Sequence, residues 1–171
     1  MKVVLLGYMA SGKSTIGRLL AEKMNLNFID LDVYIEEKEQ LSVEDIFKIK
    51  GEIYFRKQEH YYLKELLASK SNFVLALGGG TPCYANNMEL IKKSSNTHSI
   101  YIQLKVVSLV ERLLQEKSTR PLVANINDND ITEFIAKHLF ERSYYYNQAE
   151  HVIGSDEISK EQLVDYIYSL L

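Results

Sequence analysis

Val3-Val4-Leu5-Leu6-Gly7-Tyr8-Met9-Ala10-Ser11-Gly12-Lys13-Ser14-Thr15 is the stretch that decides the fold class. Four aliphatic residues in a row describe a strand buried on both faces, as strands of parallel sheets are. From Ser14 onward Ile16, Leu19, Leu20 and Met24 recur at helical spacing. Between strand and helix, Gly7 to Ser14 fits G-x-x-x-x-G-K-[ST]. Such a loop turns its backbone N–H groups inward onto phosphate oxygens, and the helix behind it adds a positive end. In this pattern the lysine, Lys13, reaches the β- and γ-phosphates, and the Ser14 hydroxyl is placed to ligate Mg²⁺. A plain glycine turn is the alternative, but the flanking strand and helix are the context that the phosphate-binding pattern requires.

Outward from this loop, short apolar runs alternate with helical patterns. Asn27–Ile29, Phe73–Leu77, Ser99–Leu104 and His151–Ile153 read as further strands. Helices are expected over 30–39, from the capping signal Ser42-Val43-Glu44-Asp45 to Ile49, and from after Gly51 to about Ser69. A further helix follows the fourth strand with Val107, Val110 and Leu114 as its apolar stripe, and others cover 131–148 and 160–171. The alternation makes the chain α/β with a parallel sheet. Residues 116–130 are polar, weakly periodic and broken by Pro121, long for a connection and suited to a lid.

The 171 residues suit one domain, large enough to bury about 70% of the surface of the unfolded chain. The composition, 46% hydrophobic and 25% charged, excludes disorder and coiled coil. A net charge of −3 favours neither nucleic acid nor an anionic membrane, so a polyanionic ligand needs local cations. The lone Cys83 excludes an internal disulfide and suits a reducing compartment. Without a signal-peptide core or a run of about 18 apolar residues, the expected location is the cytoplasm. The four histidines lack metal-ligand spacing. No apolar patch can be read from the pattern, so a monomer is the default.

The phosphate loop leaves three classes open. A GTPase switch needs N-K-x-D and D-x-x-G, and neither string occurs. An ATP-driven motor puts an acidic residue at the end of a strand to hold Mg²⁺, whereas Phe73–Leu77 ends in Gly78-Gly79-Gly80. A small-molecule kinase remains. Four clusters bear on its acceptor: Asp30 and Asp32 after the second strand, Gly51-Glu52-x-x-Phe55-Arg56-x-x-Glu59, the three glycines, and Arg120-Pro121-Leu122 with Arg142 further on. Each has a plainer reading: helix-start carboxylates, a surface ion pair, a flexible turn, and a cation near a helix end.

Taken in order, these clusters resemble the shikimate kinases. The family pattern runs from phosphate loop to D-x-D, G-E-x-x-F-R-x-x-E, G-G-G, R-P-L and E-R-x-x-x-Y. Gly7–Ser14, Asp30–Asp32, Gly51–Glu59, Gly78–Gly80, Arg120–Leu122 and Glu141-Arg142 with Tyr146 match it. The resemblance implies a three-layer P-loop kinase fold with strand order 2-3-1-4-5. It implies one domain over 1–171, with substrate-binding helices at about 31–62 and a lid at about 113–130. The implied reaction moves the ATP γ-phosphoryl group to the 3-hydroxyl of shikimate, with Mg²⁺. Gly7, Ala10, Ser11, Gly12, Lys13, Ser14, Thr15, Arg112 and Arg120 would hold the nucleotide. Asp32, Arg56, Glu59, Gly78, Gly79, Gly80 and Arg142 would hold the acceptor. Lys13, Asp32 and Arg120 would be catalytic, and Asp30 would meet Mg²⁺ through water beside Ser14. Two departures stand out: Ala10 replaces a frequent glycine, and the Arg112–Arg120 spacing is one residue longer than usual. The rival readings are a gluconate or adenylate kinase, and a nucleotide-binding regulator without turnover.

Overall fold

The computed structural model describes residues 1–115, 121–124 and 126–171. Its elements are β1 (Lys2–Leu6), α1 (Lys13–Met24), β2 (Asn27–Asp30), α2 (Leu31–Glu39), α3 (Val43–Lys50), α4 (Glu52–Ala68) and β3 (Phe73–Ala76). A 3-10 turn (Thr81–Cys83) and α5 (Asn87–Lys93) lead to β4 (Thr97–Gln103). There follow α6 (Val106–Gln115), α7 (Pro121–Ala124), α8 (Ile131–Tyr146), β5 (His151–Gly154) and α9 (Lys160–Leu170).

All strand pairs are parallel, in the order β2-β3-β1-β4-β5. β1 sits in the middle, paired Val4 to Leu75 on one side and to Ser99 on the other, and each of its residues is buried. Its side chains alternate between two layers, as a period of two demands. Val3 and Leu5 join Ile16 and Leu20 of α1 and Leu163 and Ile167 of α9. Val4 and Leu6 face Leu63 of α4, Leu109 of α6 and Ile135 of α8. The result is a sheet between two helical layers. No described helix is long and apolar enough to cross a membrane.

Local signals hold where they were strongest. Ser42 Oγ accepts from the Asp45 amide at 3.0 Å and starts α3. The Asp30 carboxylate caps α2 by accepting from the Asp32 amide at 3.2 Å. Two expectations need correction. α6 leaves Val107 and Leu114 of the expected stripe exposed, at 65% and 40%; it buries Leu109 and Leu113, with Val110 half-buried against the core. Between β3 and β4 the chain also forms the 3-10 turn and α5, which the sequence pattern did not suggest. The candidate lid at 113–130 is described in part, and within it α7 is helical. Arg120 lies outside the described residues.

Candidate functional site

The loop between β1 and α1 needs its glycines. Gly7 and Gly12 have φ of 150° and 94°. A Cβ on Gly7 would also lie 2.7 Å from the Ile102 carbonyl oxygen. Ala10 occupies the left-handed region at φ 60°, which costs an L-residue about 1–2 kcal/mol. Lys13 folds its ammonium back over the loop, donating to the carbonyls of Gly7 and Tyr8 at 2.9 Å each. The Ser11 hydroxyl is buried and has no hydrogen-bond partner among the described residues. A buried hydroxyl in that condition is costly unless a ligand oxygen satisfies it.

This loop forms one wall of a cavity of about 520 Å³. Ala10, Ser11, Gly12, Lys13, Ser14, Thr15 and Arg112, all expected to hold a nucleotide, line it. Arg112 NH1 donates to the Ala10 carbonyl at 3.2 Å, so this cation is fastened to the loop itself. Gly7 lies at the head of the loop, reached through Lys13. Ser155 and Lys160, which sequence reasoning left without a role, also line it.

The second strand brings in two carboxylates, Asp30 and Asp32, which also line the cavity. Ser14 Oγ donates to Asp30 Oδ2 at 2.7 Å. A hydroxyl and a carboxylate so paired beneath a phosphate loop are hard oxygen donors of the kind Mg²⁺ takes. No group of three or more His, Cys, Asp or Glu among the described residues could hold a metal alone. Asp32 is the deeper of the two. Burial, then Glu59 and Asp30, raise its pKa to about 6 against the pull of Lys13 and Arg56.

Behind Asp32 lies a cationic cluster. Glu59, on α4, is 1% exposed. It accepts from Arg56 NH1 at 2.9 Å and from Thr81 Oγ1 at 2.5 Å. Arg142 approaches from α8, 9% exposed and near enough for its charge to bear on both Glu59 and Cys83. Burial pushes the Glu59 carboxyl up, but two guanidinium groups and the Thr81 hydroxyl oppose it. With Arg56 bonded directly, Glu59 remains the anion that lets two cations share a small volume. Burial likewise pushes the Cys83 thiol up to about 11, so nothing activates it.

The glycine run fits between these parts. A Cβ on Gly78 would lie 2.8 Å from Asp32 Oδ1, and one on Gly80 would lie 2.9 Å from Arg56 NH2. The carbonyl of Gly79 accepts from the Tyr146 hydroxyl. Asp32, Gly78 and Gly79 thus border the cavity, Arg56, Glu59 and Gly80 stand behind them, and Arg142 lies within electrostatic reach of Glu59. Sequence reasoning missed Thr81, fully buried against Glu59, and Asn87, which donates to the Thr81 carbonyl at 2.8 Å. It also missed Tyr84, whose ring centroid lies 4.2 Å from the Arg56 guanidinium. Their position directly after three glycines was the one signal available.

Comparison with known proteins identifies the family and the fold. The family model described as shikimate kinase matches residues 9–171. A shikimate kinase of Flavobacterium johnsoniae is 47% identical over 170 residues, covering 99% of this chain and 98% of its own. The crystal structure of shikimate kinase from Bacteroides thetaiotaomicron superposes with a TM-score of 0.91 at 33% identity, over 99% of this chain and 97% of that one. The Acinetobacter baumannii shikimate kinase in complex with shikimate gives 0.87 at 31% identity, over 99% and 91%.

Proposed function

The chain belongs to the shikimate kinase family, and on that premise we propose how its residues transfer the γ-phosphoryl group of ATP to the 3-hydroxyl of shikimate. The products are shikimate 3-phosphate and ADP, and the step serves aromatic amino acid biosynthesis. The observation that carries this reading is the convergence of Arg56 and Arg142 on Glu59, directly behind an Asp32 that borders the phosphate cavity. Two guanidinium groups suit one carboxylate, because each offers paired N–H donors in a fixed fork.

In this reading the shikimate carboxylate lies against Arg56 and Arg142, with Glu59 and Thr81 holding Arg56 in place. The ring hydroxyls face Asp32 and the backbone of Gly78, Gly79 and Gly80. The attacking oxygen forms a bond to the γ-phosphorus as the bond to the β–γ bridging oxygen breaks. Its proton passes to Asp32 or to solvent. The transition state is loose, so positioning and charge neutralisation outweigh proton abstraction. Lys13 and the loop amides from Gly7 to Thr15 hold the phosphates, and Arg112 borders the nucleotide. Ser14 would hold Mg²⁺ directly and Asp30 through water; the ion, when bound, neutralises phosphate charge. We assign residues 1–171 to one functional unit, with about 31–62 on the acceptor side and about 113–130 as a lid. From the lid, Arg120 would meet the β/γ-phosphates.

A coupled ADP-release assay offering shikimate, gluconate and nucleoside monophosphates tests the acceptor. Turnover with shikimate alone is expected. Turnover only with another acceptor refutes the assignment, as does ATP binding without turnover for any of the three.

A further inference from the structure

α8 touches the phosphate loop through two side chains that phosphoryl transfer leaves unused. Tyr8, the second residue of the loop, is 1% exposed, and its carbonyl accepts from Lys13 Nζ and from the Ser11 amide. Its phenol oxygen lies 2.8 Å from His138 Nδ1. The two rings meet edge to face, centroids 5.6 Å apart. One turn along α8, Arg142 NH1 lies 3.3 Å from that same nitrogen. Its guanidinium carbon stands 5.8 Å from the centre of the Tyr8 ring.

The Arg142 contact selects one tautomer. Arginine has donors only, so that contact is a hydrogen bond only where Nδ1 presents its lone pair and the imidazole proton sits on Nε2. The Tyr8 hydroxyl, at 2.8 Å, then shares this single lone pair as a second donor. A proton on Nδ1 would aim N–H at N–H, and in the doubly protonated ring it would add a positive charge beside Arg142. Among the described residues, the groups that bear on the ring are Tyr8 from the loop and Phe134, Glu141 and Arg142 from α8 itself. Burial and Arg142 push the His138 pKa below its ordinary 6.5, against Glu141. The Tyr8 phenol, pushed up to about 12 by burial, stays neutral throughout.

We propose that His138, seated on Tyr8, is a positioning residue that holds the Arg142 guanidinium toward the acceptor carboxylate, and does so only while its ring is neutral. The proposal rests on the reading above that Arg142 receives that carboxylate. A guanidinium carries five N–H groups, so one given to His138 leaves a two-donor edge for the substrate. Protonation of the ring replaces an accepting nitrogen by a donor, and the arginine loses the contact that orients it.

The test measures KM for shikimate and for ATP between about pH 5.5 and pH 8. Wild type is compared with His138→Ala, which lacks the acceptor, and His138→Asn, whose amide oxygen accepts at nearly the Nδ1 position without titrating. His138→Ala is expected to raise the shikimate KM about fivefold near pH 8 while the ATP KM moves less than about twofold. His138→Asn is expected to restore the wild-type value there. As pH falls through the His138 range, the wild-type shikimate KM should climb relative to that of His138→Asn. Titration of Asp32 and of the nucleotide is common to both proteins and cancels in this ratio. Long-range ¹H–¹⁵N spectra should show Nδ1 of His138 as the unprotonated nitrogen. A pH-independent ratio, or an unchanged shikimate KM in His138→Ala while Arg142→Ala raises it, overturns the proposal and leaves the carboxylate clamp standing. An unchanged KM in Arg142→Ala itself removes the clamp, and the proposal with it.

Discussion

A single methyl group placed on Gly80 tests the acceptor site without touching any charged residue. Gly80 has φ of −89°, so alanine fits its backbone. Its Cβ, however, would lie 2.9, 3.0 and 3.2 Å from NH2, NH1 and the central carbon of Arg56. Carbon settles against other heavy atoms at about 3.5–4.0 Å, so the guanidinium must withdraw by about half an ångström or more. Arg56 NH1 is bonded to Glu59 at 2.9 Å, and a shift of that size strains or breaks the pair. The side chain is flexible, so the fold gives little resistance. Fewer conformations in the unfolded chain even favour the variant by about 0.4–1 kcal/mol.

The cost falls on substrate. One charge-assisted hydrogen bond lost to a carboxylate is worth about 1.5–3 kcal/mol, about 10- to 100-fold in affinity. Gly80→Ala should therefore raise the shikimate KM by about that factor. The ATP KM should stay close to wild type, while the melting temperature reads what the Arg56–Glu59 pair contributes to the fold. Gly78→Ala is the companion: its Cβ would lie 2.8 Å from Asp32 Oδ1 and 3.1 Å from Thr81 Oγ1. It displaces the group beside the attacking hydroxyl and should lower kcat most, by about 100-fold for a displacement approaching 1 Å. Steady-state kinetics with both substrates varied, together with thermal melts, reads both variants. A Gly80→Ala enzyme that folds normally and keeps its shikimate KM within about twofold refutes the placement of Arg56 against the carboxylate.

Asp32 binds its proton more tightly in the folded protein, at about 6 against 3.8. Between those values the native state holds the proton that the unfolded chain has lost, so stability falls as pH rises from about 4 to about 6, and the cost of ionising Asp32, up to about 3 kcal/mol, is complete above pH 6. Asp32→Asn should raise the melting temperature near pH 7.5 while sharply lowering turnover, and a lower melting temperature contradicts the burial argument. In the wild type, kcat/KM should fall as pH drops below about 6 because the carboxylate is then lost, and a flat profile down to pH 5 counts against a charged Asp32 in the reaction. Gly17→Ala puts a Cβ 2.4 Å from Phe28 Cε2 and 3.3 Å from Leu5 Cδ1. Overpacking of about 1–3 kcal/mol, less about 1 kcal/mol gained in helix propensity, should lower the melting temperature by about 3 °C; an unchanged melt would mean that α1 and β2 can separate freely.

How much of this was legible in the sequence varied with the range of the contact. β1 and the phosphate loop were legible because strand, turn and helix lie within about two dozen residues, each signal reinforcing the next. α6 shows the opposite. Val106, Val107, Leu109, Val110, Leu113 and Leu114 supply apolar residues to more than one face. Contact with α8 and the core selects Leu109 and Leu113, and no local pattern carries that choice. α5 was missed because it has seven residues, a left-handed Asn86 before it and no side-chain cap. Of three consecutive tyrosines, Tyr146 is fully buried while Tyr144 is 72% exposed, a difference that follows from helix rotation alone. In the site, the charged pairs announced themselves by type and spacing. Thr81, Tyr8 and His138 did not, since His138 lies 130 residues from the phenol it meets.

The strand order explains why three separate sequence clusters make one site. In an open parallel sheet, ligands gather at the carboxyl ends of the strands. With β2, β3 and β1 adjacent in that order, the segments leaving them must also be neighbours. Asp30 ends β2 and Asp32 follows it, Gly78 to Gly80 follow β3, and Gly7 to Gly12 follow β1. Gly78 accordingly abuts Asp32 on one side, while a Cβ on Gly79 would approach the Met9 amide on the other at 3.3 Å. The glycines separate carboxylate from phosphate loop by little more than a backbone's thickness. Exchanging β3 and β1 in the sheet would move the loop beside Asp32 and carry the glycine run away from it. The spacing that lets an acceptor hydroxyl face a terminal phosphate is therefore a property of sheet topology. Arg56 and Arg142 are delivered by helices of the layer that holds Val4 and Leu6, and in the proposed reading they select the anion for the remaining space.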